Sequence, residues 1–266
     1  MVLRYSLGAA MTGNVSAADV AFGKFERDIE RFEVGPAWDW FVERTAFLEA
    51  ELAAAGGFDE QLADRIEETG TFFGPAEVYE RHERTEYIGW QIEEVAMAFV
   101  VTLQARLNGL RAAANAVYEK ASAEDLLTIA RPSKLALLPP KLKAVWDVAN
   151  YVKHNDEWGA ELDKPQLVTF DALRELGVAS GTHNGRRLAR WTTLEALLAI
   201  SGESCLREAI PGTLKVSVTS GREIAARIQS DFAPLSEGVD AARAAHREEM
   251  GAQLNKATEP QDPLQV

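Results

Sequence analysis

The stretch WDVANYVKHNDEW, Trp146 to Trp158, gathers side chains that can move protons and trade hydrogen bonds. Asn150 and His154 stand at i and i+4, so on a helix they are surface neighbours. An imidazole titrates near neutral pH and can serve as general acid or base, and an amide beside it can orient the ring or a substrate. His154, Asp156 and Glu157 also have the chemistry of metal ligands. On a continuing helix, however, Asp156 turns away from His154, so these neighbours do not converge and no metal or other cofactor is expected. The plainer role for such a histidine is a hydrogen-bonded structural one.

Wound at about 100° per residue, the segment places Leu142, Val145, Val148, Ala149 and Val152 on one stripe, the core side. Asp147, Asn150, Tyr151, His154 and Trp158 fall on the opposite side. Two large rings on an outer face need cover. The spacing therefore predicts one helix from Leu142 to Trp158, buried on both sides. Asp147, Tyr151 and Trp158 form the candidate face for a homodimer contact.

The elements that must position this helix are mainly α-helical. Ser16 with Asp19 opens one helix, and Pro36 opens the next, which closes at Gly56-Gly57. From Ala76 to Ala121 there is no proline and helix formers dominate. At 1.5 Å per residue an unbroken helix there would span roughly 70 Å, too long for one compact domain, so a bend or break is expected near Gly89 or Gly109. Thr192 and Glu195 have capping-box spacing. TLKVSVTSG, near residues 213–219, alternates β-branched residues and reads as a minor β element. The expected architecture is a multi-helix bundle built on the long helix, about residues 76–121. Residues 1–163 form its helical part, 164–254 a smaller α-rich subdomain with the one strand-like run, and 255–266 a disordered tail.

ANYVKH, preceded by a long helix, resembles the motif element of HEPN-like helical domains, found in bacterial toxins, abortive-infection proteins and CRISPR-associated ribonucleases. The resemblance covers roughly residues 76–160. It implies a metal-independent endoribonuclease centre with His154 as the proton-moving residue, Asn150 as its polar companion, a homodimer, and a role in RNA-directed defence or stress response. The family's Arg would occupy 147, 148 or 149, where this chain has Asp147, Val148 and Ala149. Without that cation the developing charge on a phosphate goes unanswered. Lys153 is a poor substitute, about 100° around the helix and unable to make a bidentate contact. The resemblance thus implies an impaired or altered centre. Ion pairing at i,i+4, as for Glu80 and Arg84, explains the charges of ERHERTEY without a site; the alternative is that Arg81 or Arg84 donates the missing cation from a neighbouring helix. GTHNGRRLARW is the densest basic cluster, and its His183, Arg186, Arg187 and Arg190 are further candidates for phosphate or RNA contact.

Charge argues for a different partner. Residues 1–94 carry 20 Asp/Glu against 8 Lys/Arg, a balance of −12 within a total of −13. A nonspecific nucleic-acid coat needs a basic surface. The alternative to a ribonuclease is therefore a non-catalytic helical interaction or regulatory protein whose acidic N-terminal third binds a basic protein partner. The single cysteine, Cys205, excludes an internal disulfide or thiolate cluster and fits a cytoplasmic compartment. The apolar part of the first residues is too short for a secretory signal, and the longest apolar run, VAMAFVVTL, falls well short of a membrane span. No Gly-x-Ser-x-Gly, His-Glu-x-x-His or dinucleotide fingerprint occurs.

Overall fold

The computed structural model describes residues 16–33, 36–124, 139–159, 161–182 and 185–231. The expected tail at 255–266 and His183 lie outside the described residues.

Local punctuation starts several helices where the sequence placed them. Helix α1 (Ala17–Glu33) opens on a reciprocal cap in which the Ser16 amide donates to Asp19 Oδ2 at 3.0 Å and the Asp19 amide to Ser16 Oγ at 3.0 Å. Helix α2 (Pro36–Ala54) starts at its proline. Helix α3 (Glu60–Thr69) is capped by Asp59, and its end is turned by Gly70 at φ 64°, a backbone conformation that favours glycine. Helix α4 (Ala76–Ala123) is 48 residues long. After it come α5 (Pro140–His154), a 3-10 turn at Asn155–Glu157, and α6 (Lys164–Glu175), whose Asp163 and Gln166 close a capping box. Strands β1 (Ala179–Ser180) and β2 (Arg187–Leu188) pair antiparallel, Ala179 opposite Leu188. Helices α7 (Thr192–Ser201) and α8 (Leu206–Asp231) complete the described chain.

The chain packs as two compact units. One comprises Met1–Asp28, Leu110–Leu137 and Arg222–Val266, and the other Ile29–Gly109 and Leu138–Gly221. Residues 138–163 and 164–221, expected in separate domains, thus share a unit. In the first unit Phe22, Phe25, Val117, Tyr118 and Ile228 are buried. Tyr118 donates its hydroxyl to Asp231 Oδ2 at 2.7 Å, and burial, reinforced by that carboxylate, pushes the phenol far above its ordinary pKa. Glu124 accepts from the Ala17 amide at 2.9 Å, adding a distant carboxylate to the start of α1. In the second unit the core is drawn from α2 (Trp38, Phe41, Leu48), α4 (Ile92, Phe99, Leu103), α5 (Leu142, Val145, Val148), α6 (Phe170, Leu173) and α7 (Leu197).

Three expectations are corrected. The strand-like run at 213–219 is helical, inside α8. The residues α8 buries here, Ile210, Thr213, Ser217, Val218, Ser220 and Gly221, follow a helical rather than an alternating pattern, and Ser217 returns its hydroxyl to the Thr213 carbonyl at 2.9 Å. Packing of that small-residue face overrides the alternation of Leu214, Val216 and Val218, and the minor β element lies at 179–188 instead. The capping box at Thr192 does not form. Thr192 is already inside α7, and buried Glu93 of α4 takes the Thr193 and Leu194 amides at 2.7 and 2.8 Å.

Helix α4 has no break at Gly89 or Gly109. Its residues up to Gly109 belong to one unit and those from Leu110 to the other, so neither unit has to house its full length. Gly89 serves packing: a Cβ there would stand 2.7 Å from Trp191 Cζ2, whose ring is held edge-on by Phe58 (centroids 5.7 Å) and Trp90 (5.0 Å). Alanine would gain about 1 kcal/mol of helix propensity, but the wedged indole must move. Gly89→Ala is expected to destabilise by about 1–2 kcal/mol net, and the Trp191→Leu background should reverse the sign. Urea denaturation of the single and double variants measures both.

Candidate functional site

Helix α5 buries four of the five residues of the predicted stripe, Leu142, Val145, Val148 and Ala149, at 0 or 1% exposure, while Val152 near its end is half-buried. It ends earlier than expected. Regular α geometry stops at His154 and tightens into the 3-10 turn, closed by the Trp158 amide on the Asn155 carbonyl at 3.3 Å. Trp158 therefore leaves the helical stripe, but its ring still meets Tyr151 edge-on, with centroids 5.4 Å apart. Tyr151 is 8% exposed and Trp158 half-buried. The cover predicted for the two rings comes from within the chain. Asp147 is buried too. So two of the three residues offered as a homodimer face are already covered.

The tight turn brings Glu157 back over the histidine, its Oε2 3.2 Å from His154 Nδ1. The His154 side chain is half in solvent, at 52% exposure. It stands at the mouth of a cleft of about 320 Å³, whose walls include Asn150, Glu157 and Trp158 on one side and Asp163, Gln166 and Thr169 on the other. Across from Asn150 lies Gln104 of α4, a buried amide that sequence reasoning did not single out. It donates to Asn150 Oδ1 at 3.0 Å and to the Trp146 carbonyl at 3.3 Å, and its Oε1 accepts from Lys153. The signal for it was a glutamine on the buried side of the apolar run VAMAFVVTLQARL. Gln104 bolts α5 to α4 and occupies the lysine nearest the histidine.

The other cations are placed elsewhere. Arg84 pairs with Glu51 of α2 at 3.1 Å, and Arg81 lies against Gly56. Both are about 30 Å or more along α4 from Gln104 at the helical rise, so neither donates a cation beside His154. Arg186 does approach the site. Its guanidinium sits 5.8 Å from the Trp158 ring centre and donates to the Gly159 carbonyl at 2.6 Å, holding the chain as it leaves the 3-10 turn. Arg190 is fixed by Glu67 at 2.8 Å and Glu86 at 3.0 Å, above the Phe58 ring. Arg187 is exposed on β2. His82, between Arg81 and Arg84 in sequence, is buried, with Nε2 3.4 Å from Glu86.

Asp147 faces a different cleft, of about 450 Å³, between α5 and the ends of α6 and α7. Lys143 reaches it at 2.6 Å. Burial nonetheless pushes its carboxyl above the ordinary range, against the pull of that ammonium. Among the described residues no group of His, Cys, Asp and Glu side chains is arranged to hold a metal ion. No helix among them is long and apolar enough to cross a membrane. What the His154 cleft can offer is a carboxylate-oriented imidazole with amides nearby; its fixed charges, Glu157 and Asp163, have the wrong sign for a phosphate. Compared with protein-family models, curated proteins and solved structures, the chain matches none of them.

Proposed function

We propose that the chain is a non-catalytic helical interaction protein that engages a basic protein partner through its acidic N-terminal third. The observation that supports this most strongly is the electrostatic setting of His154. The cleft's fixed charges are carboxylates, while Lys153, bonded to Gln104, and Arg186, bonded to main-chain carbonyls, stand outside its lining. Phosphoryl chemistry needs preorganised positive charge where the transition state gains negative charge, and the described lining of this cleft supplies none. The balance of −12 over residues 1–94 favours a cationic partner over a polyanion.

A second reading draws on the same helix. A HEPN-like protein of RNA-directed defence, with an impaired or altered ribonuclease centre, is favoured by the position of α5 against long α4 and by the Glu157–His154 pair one turn from Asn150. The two readings separate on one assay. Purified chain is incubated with structured and unstructured RNA, with and without chelator, beside His154→Ala. We expect no cleavage by either protein. Chelator-resistant cleavage by the wild type that His154→Ala abolishes would replace the interaction reading with the ribonuclease one.

A further inference from the structure

Large aromatic side chains are normally turned inward, and several together on one outer face mark a place where something docks. Trp40 and Phe47 of α2 are 54% and 55% exposed, and Tyr87 of α4 is 64% exposed. All three lie in the second unit. Helices α2 and α4 run antiparallel there, since Trp38 and Phe41 pack on Phe99 while Glu51 meets Arg84. The three rings belong to one continuous surface. The Arg44 guanidinium lies 5.4 Å from the Phe47 ring centre. Arg44 and Trp40 line a trough of about 210 Å³ with Gln91, Glu94, Val95 and Ala98. Gln91 in turn donates to the Tyr87 hydroxyl at 3.1 Å.

We infer that this α2–α4 face is a docking surface for a basic amphipathic protein segment. The inference rests on the interaction reading above and names its surface and partner. Charge selects the occupant. The exposed carboxylates Asp39, Glu43, Glu80, Glu83 and Glu94 on or beside the face outnumber its cations Arg44, Arg81 and Arg84, the last already paired with Glu51. A phosphate-bearing surface is repelled. A second copy brings a net charge of −13, and residues 232–266 of the chain bring 6 acids against 3 bases. A segment with lysines or arginines flanking apolar side chains fits: its apolar residues enter the trough beside Trp40 and Val95, and its cations lie over the Tyr87 ring and toward Glu43 and Glu94, clear of Arg44 on Phe47.

The test uses the full chain and three synthetic peptides of equal length: a lysine–leucine amphipathic helix, its glutamate–leucine counterpart, and oligolysine. Calorimetric titration should show saturable binding of the lysine–leucine peptide only, weakening as salt rises. Trp40→Ala/Phe47→Ser/Tyr87→Ser, all exposed positions, should weaken it about tenfold or more. Glu43→Lys/Glu94→Lys should do the same while leaving the rings in place, and circular dichroism checks that both variants fold. Undiminished binding by both variants overturns the surface while leaving a basic partner elsewhere on the chain. No binding, equal binding of the acidic peptide, or a wild-type dimer that the aromatic variant dissolves overturns the partner. Cleavage of RNA dependent on His154 is a separate result and strikes the interaction reading itself.

Discussion

Phe99→Ala is expected to cost about 3–5 kcal/mol of stability, the largest effect of any single truncation considered for this chain. Phe99 is wholly buried on α4. Trp38 and Phe41 of α2 both meet it edge-on, with centroids 5.7 and 5.6 Å away at 74° and 75°. That geometry sets the positive rim of one ring against the negative face of another and adds to the area removed from water. Truncation leaves a void lined by two rigid rings, Trp38 and Phe41, themselves buried in the core. Such a void collapses poorly, which places the cost in the upper range. Phe99→Leu keeps most of the volume and should cost about half as much or less. Guanidinium denaturation followed by tryptophan fluorescence reads both. A Phe99→Ala cost below about 1 kcal/mol would mean that the α2–α4 packing is not as described.

Glu93→Ala should cost about 2–4 kcal/mol, the sum of lost charge-assisted bonds and a lost helix cap. Glu93 is 5% exposed and holds the Thr193 and Leu194 amides at the start of α7, which has no side-chain cap of its own. Alanine orphans both donors. Glutamine keeps one acceptor oxygen and removes a buried charge, so it should cost less. The carboxyl's pKa separates the two effects. Burial raises it above its ordinary 4.5, and the two amides pull it down by less. The folded chain therefore keeps this proton over a range in which the unfolded chain has lost it. From this group, stability falls as pH rises from 4.5 through the raised value and is level above it. Glu195, raised from 4.5, and Asp147, raised from 3.8, act in the same sense, each chiefly through burial. Their joint contribution is a midpoint of thermal unfolding that rises as buffer is taken from neutral into mild acid. Glu93→Gln should show a shallower rise than the wild type. An equal or steeper slope would mean that Glu93 is not the buried, ionising cap.

What the chain reveals in one dimension follows the range of the interactions concerned. Caps made within one turn were legible: Ser16 with Asp19 opens α1, and Pro36 starts α2. The core stripe of α5 was legible because period 3.6 survives in Leu142, Val145, Val148 and Ala149. Interactions closed over long sequence distances were not. Glu93 caps a helix that begins far downstream, so the nearer pair Thr192 and Glu195 took its place in the reading. At 213–219 β-branched residues mimic a strand, and only the partner face of α8, with Gly221 pressed to Ile29, decides for helix. At the candidate site, the i,i+4 relation of Asn150 and His154 was legible. Gln104, which fixes Asn150 and Lys153, and the turn that swings Glu157 onto His154 were not, because both depend on where α5 stops and what it packs against.

Hydrogen–deuterium exchange of the full chain, with and without the lysine–leucine peptide, locates the working surface directly. Slower exchange is expected along residues 39–51 and 83–98, with residues 150–169 unchanged. Protection confined to 150–169, around His154, with no change along α2, would contradict the assignment and return attention to the imidazole cleft.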